Sequence, residues 1–119
     1  MSSPVRLTVD TPGKRFYERQ VTFLLNSDPD GLVDTNYRDD AVLVTFDRVV
    51  HGRDALKASF RAYIEAVGLE EVLSTDKFAE TDETIFFEAT MRTKLGIAHV
   101  YDAMVLRDGK IAYHFTGVK

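Results

Sequence analysis

Cysteine is absent from the 119 residues. That excludes a disulfide framework, a zinc–thiolate site and a thiol nucleophile. Basic residues are not in excess either: 15 Lys and Arg stand against 19 Asp and Glu, a formal charge of −4. A nucleic-acid module normally presents a basic face, so no nucleic-acid partner is expected. No apolar run approaches the ~18 residues that a membrane span needs. The first residues, Met1 to Arg6, carry no hydrophobic segment of the kind a secretion signal requires. What is present is 45% hydrophobic and 29% charged, too apolar for a disordered tail and ordinary for a globular chain. The expectation is one cytoplasmic domain, residues 1–119, able to bury a core without staples. Within it, residues 1–10 form an arm or a short extra strand, because Val5, Leu7 and Val9 alternate with polar neighbours.

The patterning then divides into helices first and strands afterwards. Asp10-Thr11-Pro12 reads as a helix start, with Thr11 as N-cap and Pro12 at the first position. Apolar residues from Phe16 to Leu25 follow at mostly helical spacing, and Asn26-Ser27-Asp28-Pro29 ends the segment. Asp28 or Asp30 caps a short second helix through Leu32 and Val33, and Asn36 to Asp40 reads as a polar turn. Ala41 to Phe46 is a short, apolar, valine-rich strand, with Val49-Val50-His51 pairing back on it. Gly52-Arg53-Asp54 opens a third helix that Gly68 closes. Four strand-like stretches complete the chain: Glu71–Ala79, Thr84–Leu95, Ile97–Leu106 and Lys110–Val118, the last two joined at Asp108-Gly109. This is an α+β order, and one curved, mostly antiparallel sheet wrapped around three helices would leave an internal pocket.

Short catalytic motifs such as G-x-S-x-G, H-E-x-x-H and the P-loop are missing. His51, His99 and His114 have no metal-ligand spacing, so no metal site is expected. The most informative residue is Asp102, the one polar side chain on a strand face that otherwise holds Ala98, Val100, Met104 and Leu106. A buried carboxylate without partners tends to take up a proton, and as a neutral acid it can donate to a substrate oxygen. Alternatively it accepts bonds from a hydroxyl and braces the sheet, or the face turns outward into a dimer interface.

His114 is the second candidate, and the hairpin decides where it points. A strict two-residue turn places Tyr113 and Phe115 on the face of Asp102; a turn with a bulge at Gly109 places Ala112, His114 and Thr116 there. Tyr17 and Tyr63 sit on the helices that would line the pocket, where packing with the hydroxyl at the rim is the simpler role. Asp39-Asp40 reads as a solvated turn and Arg53-Asp54 as helix capping. His99 and Tyr101 share the sheet face opposite Asp102, and with Phe86 they suggest a sticky outer surface and a homodimer.

Tyr37-Arg38-Asp39-Asp40-Ala41, Gly52-Arg53-Asp54-Ala55-Leu56 and Arg107-Asp108-Gly109-Lys110-Ile111, in this order, resemble the SnoaL-like and ketosteroid-isomerase-like members of the nuclear-transport-factor-2-like superfamily. The resemblance runs over about residues 12–118, nearly the whole of a single-domain length. It implies an α+β cone with a deep apolar pocket and dimerisation through the outer sheet face. Asp102 matches the isomerases' oxyanion-hole acid, at a place where the cyclases have histidine. His114-Phe115-Thr116 stands where the cyclases often read His-Trp-Asp, so their aspartate is Thr116 here. The isomerase base falls near Thr45 and the isomerase tyrosine near Val21, so neither standard catalytic set is complete.

The residues expected around the pocket are Tyr17, Val21, Thr45, Phe60 and Tyr63 from the first half, and Phe87, Met91, Met104 and Thr116 from the second. Two functions fit. One is acid–base catalysis on an apolar small molecule (isomerisation, cyclisation, dehydration or hydrolysis) without a cofactor, with Asp102 as the acid or hydrogen-bond donor and His114 as its partner or base. The other is non-catalytic binding of a hydrophobic ligand, or service as a dimeric interaction module.

Overall fold

The architecture is that of a computed structural model, which describes residues 10–119; most of the expected N-terminal arm lies outside the described residues. Helix α1 spans Pro12–Leu25. Its start is built as the capping pattern requires: Thr11 is extended and its hydroxyl accepts from the Lys14 N–H at 3.2 Å. Glu80, from the far side of the chain, seals the same end. Its carboxylate accepts from the Gly13 N–H at 2.9 Å and from the Thr11 hydroxyl. A β-carbon at position 13 would collide with that carboxylate, so glycine is what lets it approach. Helix α2 spans Pro29–Asn36, capped by Asp28 through the Gly31 N–H at 2.9 Å. Helix α3 spans Arg53–Ala66 and follows Gly52, whose φ of 83° suits glycine.

Among the described residues six strands form one sheet: β1 (Tyr37–Val44), β2 (Val49–His51), β3 (Leu69–Glu80), β4 (Thr84–Thr93), β5 (Gly96–Arg107) and β6 (Lys110–Val118). Their order is β2-β1-β6-β5-β4-β3, antiparallel except where β1 runs parallel to β6. No helix among the described residues is long and apolar enough to cross a membrane.

Two expectations need correction. There is no turn at Asn36–Asp40: α2 ends at Asn36 and β1 begins at Tyr37. Pairing with Ile111 and burial of the Tyr37 ring 5.6 Å from that of Phe60 override the polar local composition. Asp39 and Asp40 are indeed solvated, but as outward residues of a strand, and they pair with Arg53 and Arg38 at 3.0 and 3.2 Å. The strand also stops at Val44, leaving Phe46 almost wholly exposed.

The second correction concerns the hairpin, where the turn type does not fix the register. The turn is the strict two-residue form: Asp108 and Gly109 both have positive φ, 55° and 78°, and Leu106 pairs with Ile111. Yet the register slips by one immediately afterwards, because Val105 pairs with Tyr113 and Ala112 is left over. The bulge therefore sits at Ala112 and not at Gly109. It flips the remainder of β6, so His114 lies opposite Met104 and Thr116 opposite Asp102. Ile111, Ala112 and His114 are buried, while Tyr113 and Phe115 face out.

Candidate functional site

The concave face of the sheet meets α1, α2 and α3 in a core that includes Phe16, Val21, Leu32, Leu56 and Ile85. The core does not fill the whole cone. A cavity of about 230 Å³ remains between α1, α3 and strands β4, β5, β6 and β1. Val21, Phe60, Tyr63 and Thr45 reach it from the first half of the chain, and Phe87, Met91, Met104 and Thr116 from the second. Tyr17 does not line it. That ring is fully buried against Phe87 and Phe78, and its hydroxyl bonds to Thr75 at 2.8 Å.

Asp102 and His114 both open onto the cavity and meet there. Asp102 is not the isolated acid that its apolar strand face suggested. His114 Nε2 lies 2.7 Å from Asp102 Oδ1, with the two side chains 4% and 12% exposed. The contact exists because the Ala112 bulge turns His114 inward, diagonal to Asp102 across the β5–β6 ladder. The other carboxylate oxygen, Oδ2, has no hydrogen bond to any described residue.

Behind His114 a chain of buried polar groups continues. Its Nδ1 lies 2.8 Å from the Tyr37 hydroxyl. The Tyr37 oxygen accepts from Gln20 Nε2 at 2.8 Å, and Gln20 Oε1 accepts from Asn36 Nδ2 at 2.8 Å. Asn36 Oδ1 accepts from the Arg19 Nε–H at 3.2 Å. Gln20, Asn36, Tyr37 and His114 are all buried, so each polar atom needs the next for its bond. Burial, reinforced by the Asp102 charge and opposed by the Gln20 bond, raises the Tyr37 pKa well above the usual phenol value.

Tyr37, Gln20 and Asn36 were not among the site residues expected from sequence. Gln20 had a readable signal: it shares the α1 stripe of Phe16, Tyr17, Val21 and Leu24, where a polar side chain is out of place.

Arg48, at the cavity wall, donates to Ser59 at 3.0 Å, and two more polar wall residues are committed elsewhere. The Thr45 hydroxyl accepts from the Asp47 and Arg48 N–H groups at 3.2 and 3.1 Å, which makes it a turn residue. The Thr116 hydroxyl donates to the Tyr101 carbonyl at 3.2 Å. The Tyr63 hydroxyl, in contrast, has no hydrogen-bond partner among the described residues. Burial first, and then the Asp102 charge, raises its pKa, so it stays a neutral donor. No group of His, Asp or Glu among the described residues is placed to hold a metal ion.

No family model matches the chain, and no curated protein does. Solved structures do match in shape. A nuclear-transport-factor-2-like protein of unknown function from Cytophaga hutchinsonii has a TM-score of 0.72 at 6% identity over 95% of each chain. A Sinorhizobium meliloti protein, provisionally termed a polyketide cyclase, scores 0.72 at 14% identity, covering 87% of this chain and 94% of that one. A Catenulispora acidiphila protein with a ketosteroid-isomerase-like fold, solved with trimethylamine, scores 0.66 at 14% identity over 82% and 83%. This chain has the nuclear-transport-factor-2-like fold. At such identities the likeness is one of fold, and the chemistry has to be argued from the site.

Proposed function

We propose that the protein takes a small, mostly apolar carbonyl compound into the cavity and moves a proton on it, as an isomerase or lyase does. The observation that carries this reading is the Asp102 carboxylate: one oxygen is held by buried His114, and the other is left unbonded in an apolar chamber. In the proposed step that free oxygen takes a proton from the carbon beside the carbonyl. The C–H electron pair moves into the new C=C bond as the carbonyl oxygen becomes an enolate. Tyr63 donates a hydrogen bond to that oxygen. Return of the proton to another carbon completes an isomerisation; loss of a leaving group completes an elimination.

The test is deuterium exchange into a panel of small cyclic ketones and unsaturated carbonyl compounds, followed by NMR in heavy water. Wild type is expected to label at least one compound. Asp102→Asn is expected to slow that labelling by at least about a hundredfold, the lower range for a positioned general base. Saturable binding with no labelling by wild type would overturn catalysis and leave the ligand-binding reading. Equal labelling by wild type and Asp102→Asn would remove Asp102 from the mechanism.

The proposal extends to a homodimer through the outer sheet face. Register sets Phe86, Ala103 and Phe115 side by side across β4, β5 and β6. Phe86 is 52% exposed and Phe115 40%, and Tyr113 stacks beside Phe115 at 6.3 Å. An apolar strip of this kind is unusual on a free sheet face. Its centre lies nearer β6 than the expected His99 and Tyr101: His99 bonds to Thr90 at 3.0 Å, and Tyr101 lies over Gly117. Light scattering after size exclusion is expected to give twice the chain mass for wild type and the chain mass for Phe115→Lys. A monomeric wild type would overturn this part.

A further inference from the structure

The chain of hydrogen bonds behind His114 has a direction, and its outer end sets it. A guanidinium can only donate, so the Asn36 atom facing Arg19 Nε must be its oxygen. The Asn36 amide N–H is then turned toward Gln20, which must accept with Oε1 and offer Nε2 to Tyr37. The Tyr37 oxygen receives that bond, and among the described residues its own proton has one acceptor within reach, His114 Nδ1 at 2.8 Å. A neutral imidazole that accepts at Nδ1 carries its proton on Nε2, which faces Asp102 Oδ1 at 2.7 Å.

We propose that Arg19, Asn36, Gln20 and Tyr37 are positioning residues that fix His114 in the Nε2–H tautomer and thereby make Asp102 the acceptor of that bond. The consequence is chemical. With the opposite polarity, Nδ1 would hold the imidazole proton, and the Nε2–Oδ1 bond would need a second proton on the pair, as a neutral acid or as an imidazolium beside the carboxylate. The polarity of the chain thus sets the pair at one shared proton, which leaves Asp102 a carboxylate beside a neutral imidazole, where the sequence reading made Asp102 the acid. Two carboxamides stand in the chain, so it orients bonds and is not a path for protons out of the cavity. A proton taken by Asp102 has to return to the bound molecule or leave through the cavity mouth. This deepens the base role assigned to Asp102 and rests on it for its purpose, though not for its test.

The test is long-range proton–nitrogen NMR of the His114 ring in the whole protein at neutral pH, without ligand. Wild type is expected to show a protonated Nε2 and a bare Nδ1. A protonated Nδ1, alone or together with Nε2, would overturn the proposal.

Coupling along the chain is tested by Asn36→Asp, which keeps the shape but can no longer donate when ionised. Gln20 must then turn its N–H outward and its oxygen to Tyr37, and Tyr37 must accept from His114. Nδ1 is expected to gain a proton once the carbon-13 shift of the new carboxylate reports ionisation; a bare Nδ1 under that condition would overturn the coupling. Tyr37→Phe decides the matter if that variant does not fold or does not ionise. It removes the sole donor to Nδ1, and the single-tautomer pattern is expected to be lost; an unchanged pattern would count against the proposal. If wild type shows the expected tautomer but no compound exchanges protons, the proposed function fails and this inference stands.

Discussion

His114→Ala is expected to lower the unfolding free energy by about 3–5 kcal/mol, because it strands a buried carboxylate without the neutral imidazole that donates to it, the same uncompensated charge that sets this range when one partner of a buried pair is removed. The side chain is 4% exposed and bonds at both nitrogens. Its removal strands the Asp102 oxygen and the Tyr37 hydroxyl together, and it adds a ring-sized void beside a cavity already present. Water entering from the cavity will hydrate part of the carboxylate, which places the effect in the lower half of that range. Asp102→Asn is the contrasting variant. Its amide oxygen still accepts from Nε2, its shape is unchanged and a buried charge is gone, so the expected change is within about 1 kcal/mol in either direction. Denaturant unfolding of both variants at neutral pH makes the comparison. Equal losses would mean that His114 does not serve as the counterpart of a carboxylate. The two variants also separate stability from chemistry, because Asp102→Asn leaves the fold intact while removing the base.

How much of this was legible depends on whether the deciding contacts are local. Helix starts are local: Thr11 with Pro12 and Gly52 stand where the sequence placed them, and Asp28, one of the two caps left open for the second helix, acts within a turn of chain together with Pro29. Strands β4 and β5 were legible because their alternation is long and their pairing follows from one tight turn. Tyr37 was not, because its neighbours Asn36, Arg38 and Asp39 are polar, and what buries it is a strand more than seventy positions away. The face of His114 was legible only through the family resemblance, which favours the register with His114 on the side of Asp102. Hydrophobicity alone points Tyr113 and Phe115 inward, and the turn residues allow that register. The bulge at Ala112 reverses it, in a strand that must also lie parallel to β1, with Leu43 beside His114. Two aromatic rings are thereby left outside and one imidazole is brought in. Apolar residues on the outside are common enough that pattern alone does not veto such an arrangement. The resemblance located the scaffold from short strings, but its catalytic positions did not transfer: Thr45 is spent on a turn and Thr116 on a backbone carbonyl.

Alkaline solution is expected to weaken the fold in a way that Tyr17 makes visible. Burial raises its phenol pKa from 10.0 to about 12, with the Asp102 charge adding to the shift and the Thr75 bond opposing it. A raised value means that the folded state holds its proton where the unfolded chain has released it. Stability from this group is therefore complete below about pH 10 and is lost as pH climbs through about 12. Two units correspond to roughly 3 kcal/mol across that window. Tyr37, buried more deeply and shifted the same way, steepens the decline. Denaturant unfolding at a series of pH values, read alongside phenolate absorbance, tests this directly. Tyr17→Phe keeps the ring packed against Phe87 and Phe78 and gives up only the Thr75 bond, so it is expected to start slightly less stable near neutral pH and to fall more gently above pH 10. Parallel curves for wild type and Tyr17→Phe would show that Tyr17 ionises as freely in the folded protein as in the unfolded chain, contrary to its place in the core.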